Sequence, residues 1–86
     1  MKPHEIVLYP LMTERSVYMI ENENKLVFIV NRRTNKHEIA RAVQELYDVE
    51  AASVRTLITS DGLKKAFVKL KEGYDASDIA IRLGIL

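Results

Sequence analysis

The sequence predicts an α+β fold: an antiparallel four-stranded sheet with flanking helices, in the order β-α-β-α-β-β-α. Three observations carry this prediction. Ile39, Ala42, Val43, Leu46 and Tyr47 recur at helical spacing, the apolar stripe of an amphipathic helix that needs a surface to cover. Lys25–Asn31 is β-branched and aromatic and apolar on both faces, as in a central strand covered on both sides. After the main helix come two β-prone runs joined through Ser60-Asp61-Gly62. An Asp-Gly hairpin there favours antiparallel pairing over a doubly wound parallel sheet.

Each element has its own local cause. Glu5-Ile6-Val7-Leu8-Tyr9 is a short β-prone run, expected to stop at Pro10, which has no N–H for a ladder. Thr13 is an N-cap with Glu14 in the first helical turn, and the helix is expected to run to about Glu21. Val17 and Ile20 point inward in this reading, with Arg15, Ser16 and Glu21 outward. Asn22-Glu23-Asn24 is a polar turn. In the strand that follows, Leu26, Phe28 and Val30 share one face and Val27 and Ile29 the other. Asn35 caps the main helix and Glu38 completes a capping-box pattern; the helix stops near Asp48. Val54–Thr59 is the third strand. In the fourth, Lys64–Lys71, Ala66, Val68 and Leu70 point inward while Lys65, Phe67, Lys69 and Lys71 share the outer face. Gly73 breaks it, and Asp75 caps a last helix containing Ile79, Ala80 and Leu83, with Gly84 just past its end.

Eighty-six residues suit one domain, residues 1–86, and 48% hydrophobic with 29% charged residues are globular values. With no cysteine there is no disulfide framework and no thiolate nucleophile or ligand. Met1–Glu5 lacks the apolar run of a signal peptide, and no apolar stretch approaches the ~18 residues of a membrane span. A cytoplasmic location is the simplest expectation. Catalysis finds little support. His4 and His37 have no metal-ligating partner at suitable spacing, Gly62, Gly73 and Gly84 stand alone, and the hydroxyls lack a base. No enzyme activity, cofactor or metal is expected.

Charge is the informative property. The total is only +1, but residues 25–41 carry five bases (Lys25, Arg32, Arg33, Lys36, Arg41) against Glu38. Residues 55–71 carry five more (Arg55, Lys64, Lys65, Lys69, Lys71) against Asp61. The rest holds three bases and ten acids. Such concentration suits a polyanion on one side of the molecule. Arg32, Arg33 and Lys36 sit where a strand gives way to a helix, so mobile cations join free backbone N–H groups in a phosphate-binding arrangement. The competing reading is a solvated loop. The strand face Lys65, Phe67, Lys69, Lys71 interleaves cations with a ring able to stack on a base. Its competing reading is an edge strand guarded by lysines, with Phe67 under a helix. No Gly-Phe-Gly-Phe-type signature of the RNA-recognition motif is present.

Several linked blocks resemble a known family. Tyr9-Pro10-Leu11-Met12-Thr13-Glu14-Arg15 is similar to the Pro-x-x-Thr/Ser-Glu-Lys opening of large-subunit ribosomal protein twenty-three. Asn24–Val30 resembles its second strand, and Asn35-Lys36-His37-Glu38-Ile39 its Thr-Lys-x-Glu/Asp-Ile helix opening. Val54-Arg55-Thr56-Leu57 resembles Val-Asn-Thr-Leu, and Lys64–Leu70 resembles Lys-Lys-Ala-Tyr-Val-x-Leu. The resemblance implies a ribosome-bound, cytoplasmic protein on large-subunit rRNA beside the polypeptide exit tunnel, among neighbouring ribosomal proteins. It also implies a docking surface for the signal recognition particle and nascent-chain chaperones. Lys25, Lys36, Lys64, Lys65 and Phe67 fall in the matched blocks as RNA contacts; Arg32, Arg33, Arg55, Lys69 and Lys71 join them as cations of the two basic segments. Glu14 and Asp48 fall where the family carries acidic residues linked to docking. Ser60-Asp61-Gly62-Leu63 is shorter than the basic loop of bacterial members, and no basic N-terminal extension precedes Glu5, so the chain looks most like an archaeal member. No obligate homo-oligomer is expected. The rival reading is a small ferredoxin-like ligand-binding or protein–protein adaptor domain whose lysines serve solubility.

Overall fold

A computed structural model describes residues 1–86. The elements run α1 (Pro3–Ile6), β1 (Val7–Pro10), α2 (Glu14–Glu23), β2 (Lys25–Val30), α3 (Lys36–Tyr47), β3 (Ala51–Ile58), β4 (Lys64–Leu70) and α4 (Ala76–Arg82). The four strands form one antiparallel sheet in the order β1-β2-β4-β3, so the α+β expectation holds.

Both longer helices start as their sequences dictate. Thr13 Oγ1 accepts from Ser16 N at 3.1 Å, and Ser16 Oγ accepts from Thr13 N at 2.8 Å. Asn35 Oδ1 accepts from Glu38 N at 2.9 Å while Glu38 Oε1 accepts from Asn35 N at 3.1 Å. Each reciprocal pair satisfies donors that a helix start leaves orphaned. Asn24 and Asp48 end the two helices in the left-handed region, at φ 55° each. Asn24 then ties β2 to α4: its amide donates to Tyr74 O at 2.9 Å and its Oδ1 accepts from Ala76 N at 2.7 Å.

The sheet is covered unequally. Leu26, Phe28 and Val30 of β2 and Ala66, Val68 and Leu70 of β4 join Ile39, Ala42 and Val43 of α3 and Ala76, Ile79 and Ala80 of α4 in one buried cluster. Phe28 is fully buried and stacks on Tyr47 with ring centroids 5.8 Å apart. Val27, Ile29 and Met19 are buried outside that cluster, on the other face of the sheet. Only α2 borders this second face; over β3 and β4 it is open, with Arg55, Leu57 and Lys69 exposed.

Six local expectations need correction. The first strand begins at Val7, because Pro3 at the first helical position starts a single turn that closes through Val7 N–H to Pro3 O. It continues through Pro10, because β1 is an edge strand and proline's missing donor costs no ladder bond there. Helix α2 continues to Glu23, leaving Asn24 alone as the turn residue. Ser16 is buried rather than outward, since its hydroxyl also donates to Leu11 O at 2.9 Å and so closes the turn beneath the helix start. The third strand begins at Ala51, and the fourth ends at Leu70.

Candidate nucleic-acid interface

The two basic segments, far apart in sequence, meet at the hairpin end of the sheet. Arg32 and Arg33 occupy the exposed turn after β2, and Lys36 opens α3. The turn is held by Thr34, whose hydroxyl donates to Asn31 O at 2.6 Å. From the opposite segment the Lys64 ammonium donates to Thr34 O. Gly62 in the hairpin lies at φ +85°, and the Arg32 guanidinium comes within 3.7 Å of where a Cβ there would stand. The hairpin itself is tight: Thr59 N donates to Leu63 O at 2.8 Å and Gly62 N to Thr59 O at 3.0 Å. The Asp61 carboxyl is held below the usual aspartate value, first by the Thr59 hydroxyl bonded to it. It stays ionised among cations, and that local cancellation is small beside the arginines and lysines around it.

Strand register builds the second part of the surface. Lys25 lies opposite Lys69, Val27 opposite Phe67 and Ile29 opposite Lys65 across β2 and β4. Across β4 and β3, Ser53 lies opposite Lys69, Arg55 opposite Phe67 and Leu57 opposite Lys65. Directly opposed residues share a face. The uncovered face therefore presents Lys25, Lys65, Lys69 and Arg55 around a partly buried Phe67. Two like charges stand directly opposite in the Lys25–Lys69 pair, an arrangement that repels unless an anion is near. Glu23 offsets part of it, with its carboxylate 3.1 Å from Lys25 Nζ. A hollow of about 350 Å³ lies over this face. Phe67, Arg55 and Lys25 line it from the sheet, and Arg15 and Met19 from α2.

The remaining predicted residues fall elsewhere. Lys64 lies on the inner side of the sheet, opposite Val30 and Ile58, and its ammonium is engaged with Thr34. Lys71 lies past the end of β4; its N–H donates to Glu50 O at 2.9 Å and its ammonium sits 3.5 Å from the Glu50 carboxylate. It is placed at the far end of the molecule, where Asp48, Asp75 and Asp78 line a second hollow with Tyr74 and Arg82. Tyr74 donates to Glu50 Oε2 at 3.1 Å, and that bond to a carboxylate holds its phenol above the usual tyrosine value. Asp48 belongs to this acidic end; Glu14, exposed in the first turn of α2, stands apart from it. Arg15 is the residue that sequence reasoning passed over. Its outward position was legible, but which sheet face lay beneath α2 was not.

No group of three or more His, Cys, Asp or Glu side chains is placed to hold a metal ion. No helix is long and apolar enough to cross a membrane. A profile of the family described as Ribosomal protein L23 matches residues 5–62, which span α1 through β3 and reach the hairpin glycine. The Lys64–Leu70 block and α4 lie beyond the match. With two thirds of its length so matched, the chain belongs to the ribosomal protein L23 family, the proteins of the large ribosomal subunit that take part in translation as ribonucleoprotein components.

Proposed function

We propose that this protein binds large-subunit rRNA through the hairpin end and the uncovered sheet face, as a non-catalytic structural component near the polypeptide exit tunnel. One observation carries the reading. Cations from two distant segments converge, with Arg32 against the hairpin and Lys64 bonded to the Arg32–Asn35 turn. The acids Asp48, Glu50, Asp75 and Asp78 gather at the other end. A polyanion is attracted by the first region and repelled by the second, so the charge layout orients the protein as well as holding it. Membership of the family supports the tunnel-exit position and the cytoplasmic, ribosome-bound location of this reading.

The same polarity leaves an acidic end for proteins, and Asp48 lies there. Asp48 and Glu14, the latter standing apart in the first turn of α2, are the residues we assign to docking of the signal recognition particle or nascent-chain chaperones. The Ser60–Leu63 connection is a tight turn, so in this reading the protein contributes to the rim of the exit and not to the tunnel lining.

Filter binding of the full chain to large-subunit rRNA fragments tests the RNA surface. Affinity is expected to fall steeply as salt rises, and Arg32→Ala/Arg33→Ala/Lys65→Ala is expected to bind more weakly at every salt concentration. A triple variant that binds as tightly as the wild type would show that the face is wrongly assigned. An adaptor domain whose lysines serve only solubility would not bind the fragments at all.

A further inference from the structure

We propose that the hollow over the open sheet face takes a single unpaired RNA nucleotide, with its base stacked on Phe67 and its flanking phosphates on Arg15 and Arg55. The inference rests on the RNA-binding reading above and deepens it by naming the part of the RNA that this face selects.

The geometry separates base from backbone contacts. Phe67 occupies the middle of the face, between Val27 on one neighbouring strand and Arg55 on the other. It is only partly buried, and Met19 of α2 stands beside it in the wall of the hollow. An aromatic floor with a thioether wall suits the flat face of a nucleobase, whatever its identity. Arg15 comes from α2 and Arg55 from β3, so the two guanidinium groups approach from different elements. Phosphates on either side of an extruded base diverge in the same way. One row along, Lys25 and Lys69 oppose each other directly, and their repulsion is relieved when an anion enters.

Size and chemistry argue against other occupants. A volume of about 350 Å³ lies at the lower end of the ~300–1,000 Å³ range typical of small-ligand clefts, sufficient for a nucleotide. A base-paired helix offers phosphates and 2′-hydroxyls but keeps its base faces stacked inside, so it makes no use of the Phe67 ring. The one acid lining the hollow, Glu23, is already held by Lys25. Glu23 thus acts as a local competitor for the cation that an incoming phosphate needs.

The test compares a fluorescein-labelled oligouridine strand with a blunt RNA duplex of equal charge, each titrated with the full chain and followed by anisotropy. Phe67→Leu is expected to weaken oligouridine binding roughly 10-fold while changing duplex binding by less than about twofold, and Phe67→Tyr is expected to bind like the wild type. Glu23→Gln is expected to tighten oligouridine binding by releasing Lys25. If Phe67→Leu fails to fold, Phe67→Ile, a β-prone residue without a ring, carries the same expectation of selective loss. Unchanged oligouridine affinity in Phe67→Leu, or an equal loss on both probes, overturns the proposal. So does polyglutamate binding that depends on Phe67 while oligouridine binding does not, since that result assigns the face to an acidic protein. Failure of the RNA-binding reading is read separately, as absence of wild-type binding to the large-subunit rRNA fragments.

Discussion

Lys64 and Lys65 are neighbours with different tasks. Lys64 lies on the inner side of the sheet and donates to the carbonyl of Thr34, a residue with 2% exposure. Lys65 points to the open face opposite Ile29 and Leu57. Removing the Lys64 ammonium leaves a carbonyl short of a charge-assisted donor, at a cost of about 1–3 kcal/mol. Removing Lys65 costs within about 0.5 kcal/mol. Urea unfolding of Lys64→Ala and Lys65→Ala should therefore separate them, with a lowered midpoint only in the first and lost RNA affinity without lost stability in the second. Equal midpoints would refute the division.

Two tyrosines make stability sensitive to alkali. Burial holds the Tyr47 phenol above its ordinary value of 10.0, and the Glu50 hydrogen bond holds Tyr74 above the same value. In both, the neutral form is favoured in the folded state. Their contribution is complete below the unfolded value and is lost as pH rises through the raised folded value. Thermal unfolding by circular dichroism from about pH 9 to about pH 12 should show Tm falling more steeply in the wild type than in Tyr47→Phe, since lysines titrate in both. Parallel profiles would remove Tyr47 from the account.

At the scale of elements, local chemistry was read correctly where the cause is local. The Asn35–Glu38 reciprocal pair is written in four consecutive residues, and its geometry follows from them. Asn35→Ala should cost about 1 kcal/mol, or roughly 4–8 °C in Tm for a domain this size, while Asn35→Ser should cost much less. A scanning-calorimetry comparison of the two decides it; an undiminished Tm in Asn35→Ala would mean that packing alone holds the helix start. Elements were misread where a distant partner decides. Pro10 ends a strand only if that strand is central, and its edge position depends on β2 lying on the other side. Ser16 reads as a surface residue until Leu11 O is placed beneath it.

At the scale of the whole molecule, the net charge of +1 hides an axis. Two basic segments were visible in the sequence as composition, and their concentration already suited one polyanion-facing side; which of their residues stand opposite one another was not visible, because the strand order places β4 between β2 and β3. That same order removes Lys71 to the acidic end and brings Arg15 over Phe67. The axis gives a quantitative form to the salt experiment. Each phosphate neutralised contributes about 0.7–0.9 to the slope of log affinity against log salt, so the triple variant should lower the slope by roughly 2–3. A parallel displacement with unchanged slope would place those three cations away from phosphate.

The strand order also has a consequence in time. β2 is the most apolar segment of the chain, buried from Leu26 to Val30, and one of its two partner strands, β4, follows only after α3 and β3. During synthesis β2 can pair with β1 as soon as it emerges, but its other edge stays unpaired until β4 has been made. Unsatisfied apolar edges of this kind invite misassembly while the chain is incomplete. Once β4 arrives it closes against β2 and β3 together, and the uncovered face comes into being in that same step. The surface proposed to meet RNA is thus among the last parts of the protein to exist, and a chain cut short before Lys64 would lack Lys65, Phe67 and Lys69 altogether.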